Sequence, residues 1–442
     1  MGEKGKASNN DKAWEEILCN YPIEEKTRNG GVFEISSKDI KKFREPRLMT
    51  KFDTSESVAA PLRKLHLNIL PTSRHSYAIG RFELYKKFPD MSKIKPKFIE
   101  MPDYETLRVE NITSESNAIN ALIASKGLAR FLEEDENLFT ETFNGRMGSG
   151  NFSFNVDLDL KNKYGNNMQQ EISVNCAQLE IDGGFESPKS VSIMEAKNII
   201  NEDFNIRQLY FPYRKYEKMV DKKVRLIFSQ YTNSTYYLYE YIFTDINSLS
   251  SIELLNKGVY TFEDQSISES DINNILESTN PIIDDDKGKG ATTPFVQADK
   301  FDRIISLLEH LVSIPDNTMT TSEVAEFLEV VTRQAAYYPA AGEYLEIFDR
   351  SQKGYVKLTD LGLKIGKSKY RDKQLMLVEQ IFKHKIFHQL YEEIRKKGCL
   401  PDGKIVMKKM KDMNVCDSES TIKRRSRTVI SWLDWIFNLV ED

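Results

Sequence analysis

Hydrophobic and polar positions alternate in two stretches near the middle of the chain. Residues 152–160 read F-S-F-N-V-D-L-D-L, and 172–181 read I-S-V-N-C-A-Q-L-E-I. A period of two sends successive side chains to opposite faces of a sheet, so both stretches predict strands. Residues 191–195 predict a third strand, and the aromatic runs 224–228 and 235–243 predict two more. Ahead of them, 113–134 carries Ile119, Leu122, Ile123, Leu128, Phe131 and Leu132 near the helical period, behind Thr113 or Ser114 as a cap, and predicts a helix. Residues 204–220 predict another, with Pro212 placed to kink it. Helices and strands in this order predict a mixed α/β (α+β) core over 101–280.

Outside that core the pattern changes. Residues 1–12 are small, polar and charged and predict a disordered tail. Over 13–100 the pattern is mixed: strands at 33–35 and 77–85, a short helix at 37–43 capped by Ser37, and an irregular basic stretch at 44–53. The run N-G-R-M-G-S-G at 144–150 predicts a flexible loop. Residues 250–293 are poorly patterned, and 281–294, with D-D-D-K-G-K-G at 284–290, predicts a linker. Beyond it come helices at 301–311, 321–328 and 332–345 and a strand-like run at 355–359. Short helices closed by a β-ribbon form a winged-helix outline over 295–370. A second helical region, 371–442, has helices at 373–397 and 420–439.

Composition narrows the classes. A chain of 442 residues, 40% apolar, has material for two to four domains with real cores. It contains no apolar run of the ~20 residues that span a bilayer, and its first residues lack the apolar stretch of a secretion signal, so a cytoplasmic protein is expected. The four cysteines, Cys19, Cys176, Cys399 and Cys416, form no C-x-x-C pair, which argues against zinc and against a disulfide framework. A net charge of −5 weighs mildly against nucleic acid, but where the basic residues gather matters more.

The candidate chemistry lies at 178–197. Asp182 ends one predicted strand, and Glu195-Ala196-Lys197 ends the next. Alternation puts Glu195 and Lys197 on one face. An antiparallel pairing of the two strands sets Asp182 beside Glu195, and two hard carboxylates converging on one point suit Mg²⁺. A lysine there supplies positive charge where a phosphodiester transition state gains negative charge. The plain alternative is a solvated Asp and a surface Glu/Lys pair at a strand end.

Asp182 followed by Glu195-Ala196-Lys197 resembles the motif of the PD-(D/E)XK nucleases, which include type II restriction endonucleases. Ile181 stands where the motif has proline. The resemblance implies a mixed sheet flanked by helices, Mg²⁺ held at Asp182 and Glu195 with Ala196 counted in the metal set, and Lys197 acting on water and phosphate. The segment Gln208-Leu209-Tyr210-Phe211-Pro212-Tyr213-Arg214 resembles the Gln-and-Tyr helix that follows the motif in many such enzymes. Gln208 then either positions water or phosphate, or packs helix on sheet. Glu115 opens the 113–134 helix; it is either an acid donated to the metal site or a first-turn partner of the helix dipole. Glu180 is a weaker candidate on the strand of Asp182.

For DNA, 418–436 combines a serine cap, a core face of Val429, Leu433 and Ile436, and Lys423, Arg424, Arg425 and Arg427 crowded in the N-terminal half, as on a recognition helix. An ordinary solvated basic face is the alternative. The segments at 320–327, 333–338 and 355–362 resemble winged-helix modules of restriction enzymes and regulators. Arg333, Gln334 and Tyr337 fall on the recognition helix of such a module, which otherwise serves protein contacts. Arg146, in the glycine-rich run, either enters a groove or sits in a passive hairpin, and 44–53 looks like the leading part of such restriction enzymes. The reading is a type II restriction endonuclease cutting double-stranded DNA with Mg²⁺. A palindromic target would favour a homodimer, and a cognate DNA methyltransferase would protect host DNA. The alternatives are a structure-specific or repair nuclease and a non-catalytic winged-helix regulator.

Overall fold

The computed structural model describes residues 8–91, 94–109, 112–161, 164–263, 266–281, 295–416 and 418–440. The D-D-D-K-G-K-G stretch expected as a linker lies outside them, as do residues 1–7 of the expected tail. The rest of that tail is a helix. Ser8 caps Asn9–Asn20 in a capping box with Asp11, so the polar letters read as disorder are a helix-start signal.

Among the described residues, seven strands form one mixed sheet. In spatial order they are Lys97–Phe98, Ile252–Thr261, Thr235–Phe243, Lys223–Thr232, Ser190–Lys197, Gln178–Glu186 and Thr140–Gly148. Every residue of Ser190–Lys197 is buried. A strand covered on both faces has no solvent side to mark with polar residues, which is why 191–194 shows no clean alternation. It runs parallel to Lys223–Thr232 and antiparallel to Gln178–Glu186. The parallel pairing needs a crossover, and helix Arg207–Tyr216 supplies it, burying Leu209, Tyr210 and Phe211 against Val191 and Ile193. The opposite face, with Met194 and Ala196, is covered by helices Glu115–Ala124 and Gly127–Leu132.

Several expected elements are redrawn. The single helix at 113–134 breaks at Lys126, whose φ of 62° is left-handed. A Cβ on the next residue, Gly127, would stand 2.8 Å from the Ile99 side chain and 2.9 Å from that of Leu122, so only glycine lets the second helix pack so closely. The helix expected from 204 begins at Arg207, because Asp203–Asn205 pairs as a strand with Tyr85–Lys87. Pro212 stays inside it and has no N–H to give the Gln208 carbonyl. The loop expected at 144–150 is largely strand. Thr140–Gly148 pairs along Gln178–Glu186 with register shifts around Phe143, so Gly145 adjoins a bulge and Gly148 pairs in register with Gln178. The strand expected at 77–85 is two, Ser76–Gly80 and Tyr85–Lys87, and Ser36 rather than Ser37 caps the short helix. Residues 250–293 hold the strand Ile252–Thr261, whose bulge opposite Glu240 and Tyr241 disrupts the alternation, and the helix Glu269–Ser278.

The N-terminal region builds a small antiparallel sheet from Phe33–Ser36, Ser76–Gly80 and Asn68–Pro71 over its own core around Trp14. After residue 300 the chain is mostly helical. Helix Phe301–Ser313 is followed by strand Thr318–Thr320, helices Thr321–Phe327, Thr332–Ala335 and Tyr337–Tyr344, and strands Phe348–Asp349 and Tyr355–Leu358. The last strand lies between the other two. Helices Tyr370–Phe382, Lys385–Lys397, Gly403–Asp412 and Glu419–Phe437 complete the region, and one hydrophobic core runs through all of it. Trp432, fully buried, donates its indole N–H to the Ala298 carbonyl.

Candidate active site

The backbone ladder between Gln178–Glu186 and Ser190–Lys197 ends at the pair Met194 and Gly183. The next pair in register would be Glu195 and Asp182. There the Asp182 carboxylate takes over from the partner carbonyl and accepts the Ala196 N–H at 2.9 Å. A short acidic side chain at the point where two strands part thus satisfies a buried donor and points its charge toward the strand end. Gly184, just past Asp182, lets the Phe143 ring lie flat on the strand, since a Cβ there would come within 2.2 Å of it.

Glu195 and Lys197 share one face, as alternation requires, and their side chains meet at 3.0 Å. Lys197 is the hub. Its ammonium also lies 3.8 Å from Glu115, at the start of its helix, and 3.8 Å from Glu329. Gln208, on the crossover helix, donates an amide N–H to Glu195 at 2.5 Å, while its amide oxygen is buried without a partner among the described residues. The structure therefore brings together Asp182, Glu195, Lys197, Glu115 and Gln208.

Two further acids join them. Asp53 is buried at the end of the basic stretch 44–53, 3.3 Å from Lys51. Glu329 follows helix Thr321–Phe327, and Asn201 donates to its carboxylate at 2.7 Å. Neither is near the motif in sequence. Neither Asp53, closing the stretch R-E-P-R-L-M-T-K-F-D, nor Glu329, in L-E-V between two short helices, carries a local signal.

The charges do not balance. Burial, reinforced by the Asp182 charge, pushes the Glu195 carboxyl up to about 7 against the pull of Lys197. Burial likewise raises Asp182 to about 6, with Lys197 opposing, and Glu329 to about 7, with Lys197 opposing and Asp53 reinforcing. Asp53 differs. Burial disfavours its charge, but Lys197, Lys51 and Arg207 outweigh that and hold it below the usual carboxylate range. Lys197 is itself buried, yet the surrounding carboxylates hold its ammonium well above the ordinary lysine range. Five acids thus crowd one buried lysine, an arrangement short of positive charge.

Among the described residues no three Asp, Glu, His or Cys side chains close on a single point as a metal cage. Glu195 instead turns to Lys197 and Gln208. The donor chemistry nevertheless fits a hard divalent cation: buried carboxylate oxygens, a net excess of negative charge, and proton affinities raised for want of a counterion.

The expected DNA contacts fall in different surroundings. Arg146 is exposed on the edge strand and paired with Glu180 at 3.1 Å, so neither belongs to the cluster. Arg333 is exposed on Thr332–Ala335; Gln334 and Tyr337 beside it are half-buried, Tyr337 packing on the C-terminal core. Lys423, Arg424 and Arg427 are exposed on Glu419–Phe437. Arg425 departs from the expectation: its guanidinium turns inward to the Cys416 sulfur at 3.9 Å.

Three family profiles match the chain, each described as a domain of unknown function: DUF6996 over residues 11–79, DUF6997 over 80–261 and DUF7226 over 303–441. No curated protein and no solved structure matches it. The middle region holds Glu115, Asp182, Glu195, Lys197 and Gln208; the first contributes Asp53 and the third Glu329. All three matched regions therefore meet at Lys197.

Proposed function

We propose that this chain is a Mg²⁺-dependent endonuclease of the type II restriction class, hydrolysing phosphodiester bonds of double-stranded DNA on a PD-(D/E)XK core. The observation that carries the reading is Asp182, Glu195 and Lys197 held together at the parting ends of two adjacent strands, in a buried site where carboxyls outnumber cations. Asp182, Glu195 and the main-chain carbonyl of Ala196 would hold Mg²⁺. When bound, the ion supplies Lewis acidity and lowers the pKa of a coordinated water. Lys197 stays protonated at any working pH because its ammonium is held so high, so it serves as a fixed positive charge for the phosphate and not as the base. Gln208, anchored on Glu195 through its N–H, keeps its amide oxygen free to accept from the attacking water and orient it.

DNA reading falls to the C-terminal region. Helix Phe301–Ser313, helices Thr321–Phe327, Thr332–Ala335 and Tyr337–Tyr344 and the three short strands follow the order of a winged helix, with Arg333 on the short helix Thr332–Ala335. Lys423, Arg424 and Arg427 lie within about one turn of a second helix, spaced as phosphate contacts on one face are. A restriction role brings with it a methyltransferase that protects the same sites in host DNA.

The test is digestion of unmethylated plasmid and phage DNA with Mg²⁺, beside EDTA and an Asp182→Asn control. Discrete fragments that disappear in both controls are expected. Intact DNA under every condition, with duplex still retarded in a gel, would discard the enzyme in favour of a DNA-binding regulator.

A second expectation concerns pH. Asp182, Glu195 and Glu329 have values raised on folding. Their contribution to stability is thus fully present below the ordinary carboxylate range, near pH 4, and is lost as pH rises through about 6 to 7. Mg²⁺ binds the ionised form and restores that loss. The rise in melting temperature on adding Mg²⁺ should therefore be slight at pH 5 and larger by about 3 °C or more at pH 8. A scanning-calorimetry series with an equal rise at both pH values would refute a carboxylate-held ion.

A further inference from the structure

Lys197 is not open to a substrate. Its side chain is 9% exposed, that of Glu195 10%, and that of Glu329 14%. Against Lys197 lies Glu329, in the turn between helices Thr321–Phe327 and Thr332–Ala335 of the C-terminal region. It is held on three sides. Thr54 donates its hydroxyl to the Glu329 carbonyl at 2.9 Å, Asn201 donates to one carboxylate oxygen at 2.7 Å, and the other oxygen faces Lys197.

The backbone here closes a helix. Glu329 follows the helix cap Leu328 with φ of 50°, and the Val330 N–H returns to the Ala325 carbonyl. That is the left-handed position closing a helix, where glycine is the usual occupant. Glu133 and Glu346 close helices with the same left-handed backbone, so what sets Glu329 apart is its carboxylate, 3.8 Å from a buried lysine in another matched region.

We propose that this turn is an autoinhibitory cover, with Glu329 standing beside Lys197 in the place the scissile phosphate must take. The inference rests on the nuclease reading. A phosphate group and the Glu329 carboxylate are both anions seeking the same ammonium, and with Asp53, Glu115 and Glu195 already around it the site does not hold both. Binding of duplex by the C-terminal helices draws the turn away, and the lysine passes from the internal anion to the external one. Cleavage is thereby confined to protein already seated on DNA.

The experiment uses the full-length chain in EDTA, so that binding is read without cutting. Duplex affinity is measured by fluorescence anisotropy, and protection of the 325–335 amides by hydrogen exchange. Glu329→Gln keeps an acceptor for Asn201 but loses the charge; Glu329→Gly removes the side chain and relaxes the backbone, so it tests the idea in a variant that suits the fold. Both should bind duplex roughly tenfold tighter than the parent, and the parent's turn should lose protection when DNA is added. In Mg²⁺ both should cleave at least as fast as the parent. Duplex binding that is unchanged or weaker in both variants, with a turn still protected under DNA, overturns the cover while leaving the nuclease intact. Cleavage abolished in both with unchanged affinity overturns it too, making Glu329 part of the reactive set. Absence of duplex binding in all three proteins removes the nuclease reading and this inference with it.

Discussion

Lys197→Met should slow Mg²⁺-dependent cleavage by about 10²–10³-fold in single turnover while leaving duplex affinity within a few-fold of the parent. The reasoning is electrostatic. Lys197 is the cation shared by Glu195, Glu115 and Glu329, and on the proposed nuclease chemistry its charge offsets what builds on a phosphate in the transition state. Methionine keeps much of the length and removes the charge. The carboxylates left behind answer by holding their protons to still higher pH, so the fold should survive at neutral pH and the loss should fall on the chemical step. Lys197→Arg should not rescue the rate. A planar guanidinium is bulkier than an ammonium and presents its charge as a fork, not a point. A methionine variant cutting within about tenfold of the parent rate would mean that the lysine is structural and that the reactive groups lie elsewhere.

The second large effect is expected on binding. Lys423→Glu, Arg424→Glu and Arg427→Glu together should weaken duplex affinity by about 10³-fold at low salt and lower the salt slope by about 3, nearly one unit for each lost phosphate contact. The three side chains are exposed, and the helix packs through the buried Ile422, Val429, Trp432, Leu433 and Ile436. Stability should hardly change, which separates lost contact from lost fold. Arg425→Ala, by contrast, should leave affinity nearly unchanged, because its guanidinium is turned toward Cys416. A triple variant with parental affinity would return this helix to the status of a solvated basic surface.

How much of this was readable beforehand depended on whether the information was local. Asp182 and the Glu195–Lys197 pair were legible because strand alternation and one antiparallel register fix their meeting, and both follow from a dozen residues. Gln208 stands out through the resemblance of 208–214 to the helix that follows the motif in such nucleases, and the crossover between parallel strands brings it to Glu195. The helix break at Lys126 was hidden because it depends on how closely Gly127 approaches Ile99, a tertiary fact. The loop misread at 144–150 came from taking glycine as a breaker where it lies within an edge strand. Asp53 and Glu329 were invisible for a stricter reason. Each is ordinary in its own neighbourhood and acquires meaning only when distant regions dock around Lys197, and no periodicity encodes that.

The docking around Lys197 also bears on inheritance. Three segments, each matched by its own family profile, bring acids to one buried cation. A chimera that takes its first or last segment from a protein lacking the matching partner would bury an orphan carboxylate or strip the lysine of its company. Such segments can be exchanged only as a set, since a change of charge in one at this seam limits what the others can carry.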